Sequence, residues 1–153
     1  DAGPIRAGCP EGLVTHSADT REILARFRTF AVVGLSPSPH RDSHGVARFL
    51  QEHGYRVIPV RPGAGNILGE KCYDSLRDVP EPVEVVDIFL RSEAVPSVVE
   101  DAVAVGAKVI WTQLGVIHRE AAERARRAGL LVVMDRCPAI EYRRHFGSAP
   151  RPG

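Results

Sequence analysis

Five short aliphatic runs punctuate the chain: FAVVG (30–34), YRVIPV (55–60), VEVVDIFL (83–90), AKVIWTQ (107–113) and LLVVMD (130–135). Each is too short for a helix and too continuously apolar for a strand with one wet face. Each is therefore predicted as a strand buried on both sides. The stretches between them repeat apolar residues at helical spacing, as in HGVARFLQEHG, SEAVPSVVEDAVAVG and HREAAERARRAG. Strands alternating with helices make a parallel sheet covered on both faces, an α/β three-layer sandwich. Right-handed crossovers favour a doubly wound sheet of five strands in the order 3-2-1-4-5.

Local signals place the helix ends. Asp19 or Thr20 can cap a first helix, TREILARFR, with Ile23, Leu24 and Phe27 on one face. The second helix is predicted to follow Ser43 and to stop at Gly54. Pro96 fits only a first helical turn, which sets the start of the third near Ser92. Gly129 closes the fourth, and Cys137 to Phe146 reads as a terminal helix. Residues 1–18 hold three glycines and two prolines without a sustained period, an irregular arm. One domain is expected over 19–146 and a flexible tail over 147–153. The turn-rich segment 61–82 is expected to run along a sheet edge.

At 153 residues the chain is long enough for a single well-formed core. A formal charge of +1 argues against a nucleic-acid partner, whose site demands a clustered basic excess. No apolar run is long enough to span a membrane, and no signal-peptide core stands near the start. Three widely spread cysteines (Cys9, Cys72, Cys137) suggest reduced thiols, hence a cytoplasmic setting.

In doubly wound sheets, ligands bind beyond the carboxyl ends of the strands, at the switch point. The stretch after the first strand, GLSPSPHRDSHG, replaces the usual glycine-rich turn with prolines, serines and an arginine. Gly34 makes the turn, the helix start offers unpaired N–H groups, and Ser36, Ser38 and Ser43 add hydroxyls. Arg41 adds a planar fork of donors. These are the parts of a diphosphate cradle, the alternative being a rigid surface loop ahead of a Ser-capped helix. A fold of this kind that holds NAD carries an acid at the end of strand 2, about 20 residues on, for the ribose hydroxyls. Here Val60, Arg61 and Pro62 stand there, so a phosphate on the ribose fits better, as in NADP or coenzyme A.

Catalytic patterns are sparse. GAGNILG (63–69) lacks the Lys-Ser/Thr of a phosphate loop and is read as a turn. His40 and His44 have no partnering acids or cysteines, so no metal site is assigned. His118 fits a helix cap, Asp87 lies inside a strand, and Asp135 is expected to cap the helix beginning near Cys137. Cys137, beside Arg136 at a helix start, is either an activated thiol or a small buried apolar residue. Both readings stand.

Taken together, GLSPSPHRDSHGVARFLQEHGYRVIPVRP, LGEKCYDSL, VDIFLRSE, VIWTQLG and VMDRCPAIE resemble the small stand-alone CoA-binding proteins of bacteria and archaea. These are Rossmann-like domains similar to the CoA-binding domain of the succinyl-CoA synthetase alpha subunit. The resemblance covers roughly residues 20 to 146 in unbroken order. It implies coenzyme A as the ligand, with Gly34, Ser36, Arg41 and Ser43 against the phosphates and Val60, Arg61 and Pro62 bordering the ADP end. Phe89, Leu90 and Arg91 would flank the adenine, and Thr112, Gln113 and Gly115 would line the exit toward the pantetheine. The chain departs from the family pattern at Arg61, where asparagine is common, and at Leu90 and Ala139, where polar groups are usual.

The synthetase works through a phosphorylated histidine on a further domain, so the resemblance implies binding without that chemistry. The expected role is a non-catalytic carrier, a sensor or a protector of the coenzyme's thiol, with no protein partner specified. The alternatives are an NADP-dependent oxidoreductase and an interaction module that has lost its ligand.

Overall fold

Phe30 and Val32 turn to one side of the first strand, Ala31 and Val33 to the other, and all four are buried. That two-sided burial is what the continuous apolar runs predict. The structure is a computed structural model that describes residues 18–152. All but the last residue of the expected N-terminal arm therefore lies outside the described residues, as does Cys9.

The elements follow one another as α1 (Thr20–Arg26), β1 (Thr29–Val33), α2 (Asp42–Glu52), β2 (Arg56–Val60), β3 (Asn66–Ile67) and β4 (Glu70–Lys71). After a 3₁₀ turn at Leu76–Asp78 come β5 (Val85–Ile88), a second such turn at Ser92–Ala94 and α3 (Val95–Ala104). The chain continues through β6 (Val109–Thr112), α4 (Arg119–Arg127), β7 (Leu131–Val133) and α5 (Pro138–Phe146).

The main sheet has five strands in the order β2-β1-β5-β6-β7, all parallel. β3 and β4 form a separate antiparallel hairpin. The expected 3-2-1-4-5 pattern holds around the switch point with one reassignment. The place outside β2 is held by a single parallel bridge, Val60 to Tyr73. VEVVDIFL, counted third in the sequence, crosses over and pairs with β1 instead. The reason is burial: every residue of β5 is buried on one face or the other, which suits the sheet interior rather than an edge.

Helices cover both faces. Val95, Val98, Val99 and Ala102 of α3, with Ala121, Ala122 and Ala125 of α4, pack on Ala31, Ile58, Val86, Ile88 and Ile110. On the other face α1, α2 and α5 cover Phe30, Val32, Val57, Val85, Val109 and Trp111. Asp19 caps α1 by accepting the amide hydrogens of Arg21 and Glu22. Thr20 donates to the buried carboxylate of Glu141 at 2.8 Å, tying α1 to α5. The closing segment makes specific contacts: Arg151 N–H donates to the His53 carbonyl, and its guanidinium lies over the Tyr55 ring. The Tyr142 hydroxyl donates to the Ala149 carbonyl.

Candidate functional site

Beyond the carboxyl ends of β2, β1, β5 and β6 lies a cleft of about 1210 Å³. It straddles the switch point, which falls between β1 and β5. Gly34, Ser36, Arg41, Ser43, Val60, Arg61, Pro62, Phe89, Leu90 and Gln113 all border it. Three expected residues do not. Arg91 is exposed and stands just ahead of the Ser92–Ala94 turn. Thr112 is fully buried, its hydroxyl donating to the Val116 carbonyl and accepting the Asp135 amide. Gly115 is exposed on a turn, where a φ of +82° suits glycine.

The floor begins at Gly34, whose φ is +87°. Its amide donates to the Val60 carbonyl at 2.9 Å, and the Phe89 amide donates to the Val33 carbonyl at 2.8 Å. These bonds hold the ends of β2, β1 and β5 together. A Cβ at residue 34 would lie 2.5 Å from the Phe89 carbonyl oxygen, so only glycine fits.

The loop above this floor is built by its own serines. The Ser43 hydroxyl oxygen accepts the Ser36 amide at 2.9 Å, and the Ser36 hydroxyl oxygen accepts the Ser38 amide at 3.1 Å. Each hydroxyl keeps its own hydrogen for donation into the cleft. α2 begins at Asp42, two residues earlier than expected, with Arg41 at the cap position and no side-chain cap. Among the described residues, the first-turn amides of Asp42 and Ser43 have no hydrogen-bond acceptor. An uncapped helix start of this kind attracts an anion.

Charge is arranged to the same end. Among the described residues, neither Arg41 nor Arg61 has an ion-pair partner, and both border the cleft. Two of the acids on the opposite wall are engaged: Asp101 pairs with Arg77 at 2.6 Å, and Asp74 accepts the Gly63 amide at 2.9 Å. Asp42 remains in the first turn of α2. The cleft therefore presents two free cations and open amides to whatever enters it.

Several lining residues escape a sequence reading. Asp74, Ser75 and Leu76 come from the edge segment, Val98 and Asp101 from α3, and Leu114 and Val116 from the loop after β6. Only for the last pair was there a signal, their position directly after a strand end.

The other candidates resolve plainly. His118 caps α4, its Nδ1 accepting the Ala121 amide at 3.1 Å. Asp135 does not cap α5. Its backbone is left-handed, φ +63°, and its carboxylate accepts the Gly115 amide at 2.7 Å. Cys137 is buried at the start of α5 and does not border the cleft. Cys72 is also buried, and burial pushes its thiol pKa up. Asp87 is wholly buried in β5 with neither carboxylate oxygen partnered among the described residues, and burial raises its pKa well above the usual carboxylate range. No group of three metal-ligating side chains occurs among the described residues. No described helix is long and apolar enough to cross a membrane.

Comparison with known proteins adds a family. Residues 28–143 match the model described as CoA binding domain. The uncharacterized protein YneT of Bacillus subtilis is 41% identical over 82% of this chain and 93% of its own length. A hypothetical protein from Pyrococcus horikoshii of known structure is 45% identical, with a TM-score of 0.82 over 89% of this chain and 94% of that one. Acetate–CoA ligase (ADP-forming) I of Archaeoglobus fulgidus is 28% identical over 72% of this chain, which spans only 18% of the ligase.

Proposed function

The chain belongs to the CoA binding domain family, and from that premise we propose that it binds coenzyme A or an acyl-CoA through the phosphates and ADP moiety. The observation that carries this reading is the convergence at the switch point. The free guanidinium of Arg41, the hydroxyls of Ser36 and Ser43 and the open first-turn amides of α2 all face one cleft. A diphosphate there receives charge-assisted hydrogen bonds from a pre-shaped loop and a helix dipole. Arg61, at the end of β2, is the partner for a phosphate on the ribose.

In this reading the protein holds the coenzyme without transforming it, as a carrier, a sensor or a guard of the thiol. The nearest rival is NADP, which also carries a ribose phosphate and is favoured by the same Arg61. The two ligands place that phosphate on different ribose carbons, 3′ in CoA and 2′ in NADP, so a titration separates them.

The test is calorimetric titration of the purified protein, freed of co-purified nucleotide, with CoA, dephospho-CoA, NADP and NAD at one salt concentration. CoA is expected to bind most tightly, dephospho-CoA more weakly and NAD least. A preference for NADP would overturn the reading. Arg41→Ala is expected to weaken CoA by about 1.5–3 kcal/mol, the range for a hydrogen bond to a charged group.

A further inference from the structure

Resting on the CoA reading, we propose that the preferred form of the ligand is an acyl thioester, with its aliphatic acyl group lying against Leu114 and Val116.

The cleft has a chemical direction. Read along the sheet from β2 through β1 and β5 to β6, its lining passes from Arg61, through Arg41 and Ser43, to Leu90, and then to Leu114 and Val116. Beyond β6 the described residues that line it are Gln113, Leu114 and Val116, none of them charged. Adjacent strands stand about 4.8 Å apart, so two strand spacings, about 10 Å, separate the β1 end from the β6 end. An extended pantetheine arm is longer than that. With the ribose phosphate at Arg61 and the diphosphate over α2, the arm runs toward β6 and is long enough to bring its sulfur end to the aliphatic end of the cleft.

Leu114 is 53% exposed and Ile117, on the same loop, 49%. One exposed leucine is ordinary. Of the two, Leu114 borders the cleft, and the backbone around it is fixed. The Val116 amide donates to the Gln113 carbonyl at 2.9 Å and the Thr112 hydroxyl to the Val116 carbonyl at 2.7 Å. The Gly115 amide donates to the Asp135 carboxylate at 2.7 Å and the Ile117 amide to the Ser92 hydroxyl at 2.9 Å. The loop is thereby tied to β6, to the end of β7 and to the start of α3. These bonds fix the backbone on the C-terminal side of Leu114. Asp135 adopts a left-handed backbone, φ +63°, in making its own.

A free thiol gains little from such a surface, whereas an acyl chain buries apolar area against it. With partial burial, each added methylene is expected to raise affinity about two-fold, and about four-fold where burial is complete.

The experiment is titration of the whole protein with CoA, acetyl-CoA, butyryl-CoA and hexanoyl-CoA, repeated on Leu114→Ser and Arg41→Ala. In the wild type, affinity should climb by at least about tenfold from acetyl- to hexanoyl-CoA. Leu114→Ser should flatten the series, and Arg41→Ala should lower every member by the same factor. A wild-type series with no dependence on chain length, or a gradient that survives Leu114→Ser, overturns the proposal while leaving the CoA reading intact. If no member binds the wild type, the CoA reading itself falls and this one with it. Because Leu114 is exposed, its variant should melt with the wild type, which a thermal scan checks.

Discussion

Ser43, in the first turn of α2, receives the backbone N–H of Ser36 on its hydroxyl oxygen at 2.9 Å, so the helix that borders the cleft also anchors the loop around it. The Ser43 side chain is buried, and water cannot replace it easily. Ser43→Ala should therefore cost about 1 kcal/mol of stability by leaving the Ser36 amide unsatisfied. It should also weaken CoA, because the loop loses its shape along with one hydroxyl. Urea denaturation and calorimetry on the same preparation check both effects.

Gly34 carries a second constraint. Its φ of +87° and the 2.5 Å approach of the Phe89 carbonyl oxygen leave no room for a Cβ. Gly34→Ala should lose about 1–2 kcal/mol from the left-handed backbone alone, with the backbone clash added to it. The urea midpoint should fall accordingly. The ends of β1 and β5 would separate at the switch point, so any CoA binding should fall too.

Asp87 predicts a pH dependence. Its folded pKa is raised by burial, so the proton is held more tightly in the native state than in the unfolded chain. The stability this contributes is fully present below the unfolded value, about 3.9, and is lost as pH rises through the folded pKa. The Tm advantage of the wild type over Asp87→Asn should accordingly shrink as pH rises from 4. It should level off once the native carboxyl has ionised. A difference between the two proteins that is constant with pH would show that Asp87 ionises no later in the native state than in the unfolded one.

Arg61 predicts a selective loss. Its guanidinium has no ion-pair partner among the described residues and borders the cleft at the end of β2. Arg61→Asp should weaken CoA more than dephospho-CoA, because only the first carries the ribose phosphate. Equal losses in the paired titrations would remove Arg61 from that contact.

Several features were legible early because they are local. The residues of the loop after β1 could be placed at the ligand end of the sheet because a glycine after a buried strand, followed by a helix start, marks a strand-to-helix turn in any α/β fold. The roles of its serines were less legible. Ser36 and Ser43 read as donors to a ligand, yet the oxygens of both are acceptors for neighbouring loop amides. Asp135 read as a helix cap because it precedes α5 closely, and its carboxylate instead holds the Gly115 turn, 20 residues away in sequence. That partner is set by how the ends of β6 and β7 lie side by side.

The layers follow from the order of residues alone: the aliphatic runs demand burial on both faces, and the helical spacing between them supplies the covers. An unbroken apolar run and a 3.6-residue spacing are properties of a segment and its near neighbours. The assembled fold adds that VEVVDIFL pairs with β1 while Tyr73 takes the place outside β2. It alone decided that Asp74 and Asp101 are engaged while Arg41 and Arg61 are left open to the cleft. Strand order and the pairing of charges depend on which distant segments share a boundary. That is settled by the competition among all buried faces at once, which no single stretch encodes.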